Sequence, residues 1–73
     1  MSPKLPRLTS RETVRLLEAH GFAKDHQVGS HAVFRHPDGR RVTIPIHSGR
    51  TVGIGLLRQI LHDADIDPDT LRK

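Results

Sequence analysis

Pro37, Asp38 and Gly39 separate two short runs of alternating apolar and polar side chains, His31 to His36 and Arg40 to Ile46, and this pattern restricts the chain more than any other. Alternation puts successive side chains on opposite faces of a strand, and Pro-Asp-Gly is the composition of a type I turn closed by a glycine bulge. The length of that loop sets the register. With His36 opposite Arg40, Phe34 faces Val42 and Ala32 faces Ile44, which gives one apolar row for a core. A two-residue turn at Asp38 and Gly39 would pair Val33 with Ile44 and mix the faces. The bulged version therefore predicts an opposite face carrying His31, Val33, Arg35, Arg41 and Thr43.

Upstream of the hairpin the period is helical. Thr9 reads as an N-cap with Glu12 as its capping-box partner, supplying acceptors for unpaired helix N–H groups. Val14, Leu16, Leu17 and Ala19 form the apolar stripe, and Gly21 follows as the left-handed terminal residue with Phe22 placed to fold back on Leu17. A helix is expected over about Ser10 to His20, after an extended lead-in at residues 1–8. Phe22 to Val28 is expected as an edge strand, because Lys24, Asp25, His26 and Gln27 are all polar. After the loop HSGRTVG, a second helix is expected from about Gly53 to Asp65, with Ile54, Leu57, Ile60, Leu61 and Ala64 on one face. Asp67 and Pro68 read as the cap and first position of one last turn. The expected fold is α+β: helix, three-stranded antiparallel sheet, helix, forming a small two-layer domain with both helices on one sheet face and the other face open.

With 73 residues, 34% of them apolar, the chain can build one core, so residues 1–73 are read as a single domain. There is no Cys, which removes disulfides and Cys-containing zinc sites as staples. No apolar run is long enough to span a bilayer, and the first residues lack the apolar stretch of a signal peptide, so no membrane association and a cytoplasmic location are expected. Charge is more informative. Residues 1–62 carry ten Lys or Arg against four acids, a local +6, while Asp63, Asp65, Asp67 and Asp69 cluster near the end. Nine of the 12 cations are Arg, whose planar fork suits phosphate, so a polyanionic partner is favoured, with nucleic acid ahead of membrane. The alternative is a solvated surface that keeps a small protein soluble.

Six His stand out in a chain of this size. No pair has the helical spacing of a zinc-binding HExxH motif, so neither a metal nor another cofactor is expected. His20 and His62 lie where imidazoles can interact with helix-end carbonyls, and His26 reads as a solvated edge residue. His36, Pro37 and Asp38 spell the tripeptide of J-domain co-chaperones, but there it joins two helices and here it makes a strand-to-strand turn. Gly53, Ile54 and Gly55 lack the preceding strand of a dinucleotide loop. His31 differs in position. It opens a strand after Gly29 and Ser30 on the open face, with Arg35 along that face and Arg41 on the neighbouring strand. An imidazole exchanges protons near neutral pH and guanidinium groups hold phosphodiesters, which together are the parts of a ribonuclease that needs no metal. His47 is expected on the same face, beyond the third strand. Arg35 and Arg41 stand opposite one another, and an anion between them would relieve their repulsion.

The run GFAKDHQVGSHAVFRHPDGRRVTIPIHSGRTVGIGLLRQIL resembles the HicA toxins of toxin–antitoxin systems. The shared features are GF after the first helix, the Gly29-Ser30-His31 triplet, an aromatic in the second strand, a basic third strand leading into Pro45-x-His47, and the helix pattern G-x-L-x-x-I-L. The Lys4-x-Pro6-x-Leu8 lead-in also fits. Leu56 departs from the more usual Thr, and Asp65 from the Gly that often ends the helix. The resemblance implies a double-stranded-RNA-binding-domain-like fold. It also implies the toxin of a type II toxin–antitoxin system: an mRNA interferase, a metal-independent endoribonuclease whose functional His maps to His31, restrained by a HicB-like antitoxin that covers the site. In this reading Ser30, Arg35, Arg41 and His47 contact RNA. A non-catalytic RNA-binding module using the same basic face is the competing expectation.

Overall fold

The computed structural model of the protein describes residues 5–47 and 49–71. Its elements are α1 (Ser10–Ala19), β1 (Ala23–Val28), β2 (His31–Arg35), β3 (Arg41–Pro45), α2 (Ile54–Ala64) and a 3-10 turn over Pro68–Thr70. This is the α+β order expected.

Local chemistry accounts for both ends of α1. The Thr9 hydroxyl accepts from the Glu12 amide at 3.1 Å, and the Glu12 carboxylate accepts from the Thr9 amide at 2.9 Å, so two otherwise orphaned donors are satisfied reciprocally. At the other end the Gly21 amide donates to the Glu18 carbonyl and the Phe22 amide to the Leu17 carbonyl, a closure that needs positive φ at Gly21, here 90°. The His20 ring nitrogen Nδ1 lies 2.9 Å from the Leu16 carbonyl, the contact expected for it.

The three strands lie in the order β1-β2-β3, all antiparallel, with Phe34 opposite Val42 and Ala32 opposite Ile44. The His36 amide donates to the Arg40 carbonyl at 2.9 Å and closes the loop in the expected register. β1 is exposed throughout, as an edge strand. It carries a bulge absent from the expectation: Lys24 pairs with Phe34 but His26 with Val33, so Asp25 is an extra residue.

The apolar row Ala32, Phe34, Val42 and Ile44 packs beneath Leu17 of α1 and Leu57, Ile60, Leu61 and Ala64 of α2. Both helices lie against β3, which leaves the opposite face uncovered by helix. Val33 is the exception on that face, at only 6% exposure between its cross-strand partners His26 and Thr43. The lead-in does more than lead in. Leu5 is buried in the core, the Val52 amide donates to the Leu8 carbonyl at 2.6 Å, and Thr9 bridges Thr51. The expectation for residues 1–4 lies outside the described residues.

Arg40 joins the hairpin to α2. Its Nε donates to Asp38 at 2.8 Å, its Nη1 donates to the Ala64 carbonyl, and its guanidinium sits 5.2 Å from the centre of the Phe22 ring. A cation at the carbonyl end of a helix is stabilising. His62 does not share that task, contrary to expectation: it is 85% exposed and its nearest charged neighbour is Asp63. The end carbonyls of α2 are already taken by Arg40 and by the Asp65 and Ile66 amides.

Asp65 holds the left-handed position after α2, with φ of 55°. This conformation costs most L-residues about 1–2 kcal/mol, Asp less than most, and the carboxylate adds an unfavourable charge beside the helix carbonyls. Glycine's greater chain entropy returns only about 0.5–1 kcal/mol of that. Asp65→Gly should therefore stabilise the fold by about 1 kcal/mol, read in a thermal melt as a rise of roughly 4–8 °C.

Candidate functional site

Val28 and His31 are cross-strand partners and Gly29-Ser30 is the two-residue loop between them. Positive φ at the first loop residue, 58° at Gly29, is what a type II′ hairpin turn requires. The Ser30 carbonyl accepts from the Ile46 amide at 2.5 Å, so the loop is tied to the chain leaving β3. His31 is thereby fixed at the start of the central strand, paired on one side with Val28 and on the other with Pro45. Its side chain is exposed and makes no hydrogen bond or ion pair among the described residues, so both ring nitrogens are free for a ligand. Val28 beside it is 71% exposed, an apolar neighbour at the hairpin tip.

Arg35 and Arg41 face each other across β2 and β3, as the register required. They lie at the opposite end of the sheet from His31, four residues along the strand or roughly 13 Å. The bulge explains how the like charges coexist. It brings the Asp25 carboxylate within 3.4 Å of Arg35 Nε and 2.7 Å of His26 Nδ1. The His26 bond, with added attraction from Arg35 and Arg41, holds the Asp25 carboxyl below the ordinary aspartate range. The anion between the arginines is thus supplied, at least for Arg35, by the chain itself. Arg41 makes no hydrogen bond or ion pair among the described residues.

His47 lies in the segment that leaves β3, beyond Pro45. The buried Ser10 hydroxyl donates to the Pro45 carbonyl at 3.0 Å and accepts from the His47 amide at 3.3 Å, which ties the exit of β3 to the start of α1. His47 lines a groove of ≈ 590 Å³ against α1, together with Arg11, Arg15, Val14 and Ile46. Strand alternation cannot be extended past Pro45 because β3 ends there. Ser10 escaped the sequence reading, since a serine at the first position of a helix carries no signal of a distant partner. The groove left a weak one: Arg11 and Arg15 are one helical turn apart.

His36 has a structural task. Its Nδ1 accepts from the Asp38 amide at 3.1 Å and its ring meets Phe22 edge-on at 5.1 Å. Among the described residues no group of three or more His, Asp or Glu is placed to hold a metal ion, and no helix is long and apolar enough to cross a membrane.

Fold and site together define a small α+β domain that packs two helices on one sheet face and carries an exposed histidine and arginines on the other. A family model described as the HicA toxin of bacterial toxin–antitoxin systems matches residues 10–73, and the chain belongs to that family. It is the toxin of a toxin–antitoxin system, and its partner is an antitoxin. No individual curated protein matches the chain.

Proposed function

We propose that this protein is a type II toxin acting as an mRNA interferase, a cytoplasmic endoribonuclease in which His31 carries the proton transfers. The observation that supports the reading is the placement of His31: exposed, unbonded, and held by β-pairing on both sides at a hairpin whose neighbouring chain is pinned to Ser30. In the proposed step the RNA 2′-oxygen attacks the adjacent phosphorus, the bond to the 5′-oxygen breaks, and a 2′,3′-cyclic phosphate results. His31 removes the 2′ proton while water protonates the leaving 5′-oxygen, or water takes the 2′ proton while His31 protonates the leaving oxygen, and Ser30 orients the imidazole or the phosphate. No cofactor takes part. Because Arg35 and Arg41 lie roughly 13 Å from His31 along the strand, they bind a phosphate further along the same RNA and not the one being cleaved. His47 contacts the RNA from the α1 side.

The protein has two aromatic residues, Phe22 and Phe34, and both are buried. No Phe, Tyr or Trp side chain is therefore left to stack unpaired bases, and recognition rests mainly on phosphates and shape. The antitoxin, in this reading a HicB-like protein, covers the open face and His31. Incubating purified protein with RNA in EDTA tests the proposal. Shortened RNA is the expected result, and binding without shortening would assign the same face to a non-catalytic RNA-binding module.

A further inference from the structure

We infer that the groove between α1 and the exit of β3 is a phosphate subsite that holds single-stranded RNA flanking the bond presented to His31, an inference that rests on the function proposed above. Arg11 and Arg15 line it from successive turns of α1, about 6 Å apart along the helix axis. Neither makes a hydrogen bond or ion pair among the described residues. The Glu12 carboxylate is turned back onto the Thr9 amide but still feels the attraction of Arg15, and Glu18 is the one acid in the lining. Two guanidinium groups at this spacing, neither held in a hydrogen bond, match consecutive phosphates of one strand and can each bind a phosphate bidentately. The groove walls include the apolar side chains Val14 and Ile46, which suit a ribose or base edge.

Its position connects it to His31. The Ile46 amide donates to the Ser30 carbonyl, one residue before His31, and Ser10 fastens Pro45, the cross-strand partner of His31, to the first turn of α1. The groove therefore opens from the His31 end of the sheet, whereas Arg35 and Arg41 occupy the other end and Arg35 is engaged by Asp25.

The test uses full-length protein carrying His31→Ala, so that RNA is not consumed, with a single-stranded oligoribonucleotide titrated at several salt concentrations. Adding Arg11→Gln and Arg15→Gln should weaken binding roughly ten- to a hundredfold and lower the salt slope by about 1.4, or about 0.7 per lost phosphate contact. The charge-preserving Arg11→Lys, Arg15→Lys pair should retain most of the slope, which separates lost charge from lost structure. Lys24→Gln, on the far edge strand, should leave the slope unchanged. An unchanged slope in the Gln pair overturns the inference, and so does loss of antitoxin binding with RNA binding intact, which would make the groove a protein contact. Failure of wild-type protein to cut RNA would remove the proposed function while this binding result stands by itself.

Discussion

His31→Ala should reduce RNA cleavage by about 10² to 10⁴ and abolish growth arrest on expression, while the variant melts at the wild-type temperature. The rate loss is that of removing a positioned general acid or base. The unchanged melt follows from the environment of the side chain, which is exposed and makes no polar contact among the described residues. Cleavage assays on purified variants and thermal melts on the same preparations check both halves. His62→Ala supplies the control, since that imidazole is 85% exposed at the end of α2 and far in sequence from the hairpin. Full toxicity in a folded His31→Ala protein would remove His31 from the chemistry and leave Ser30 and His47 to be tested in its place.

The parts of the fold legible in the sequence are those set by local rules. Thr9 and Glu12 are three residues apart and bond each other reciprocally, and the loop from Pro37 to Gly39 admits one register that keeps Phe34 with Val42 and Ala32 with Ile44. What was not legible depends on residues distant in the chain. The hairpin register places Arg40 opposite His36 and carries no sign that the fold brings it to the Ala64 carbonyl and the Phe22 ring. The polar run of β1 signalled an edge strand, yet nothing in it marked Asp25 as the bulged residue that meets Arg35. The candidate site divides in the same way. The hairpin turn and the strand period placed His31, Arg35 and Arg41 on one face, but the alternation that served for them stops at Pro45 and gives no sign of the groove that His47 lines against α1. The turn of chain after Pro45 is set by Ser10, thirty-five residues away in sequence.

Gly21→Ala should destabilise the protein by about 2–4 kcal/mol, from two separable causes. One is backbone strain, because φ is 90° at this position and an L-residue is disfavoured there wherever its side chain points. The other is a collision, because a Cβ on residue 21 would lie 2.8 Å from His36 Nε2. The imidazole cannot simply step aside, as its Nδ1 is held by the Asp38 amide and its ring packs edge-on against Phe22. For a domain of this length total stability is roughly 4–11 kcal/mol, so the substitution removes a large share of it. Urea denaturation of Gly21→Ala in the wild-type and His36→Ala backgrounds separates the causes. The penalty should fall to about 1–2 kcal/mol when His36 is truncated, because strain remains and the collision does not. An equal penalty in both backgrounds would show that His36 is not the obstacle, and that the ring of the His-Pro-Asp turn moves freely enough to admit a methyl group.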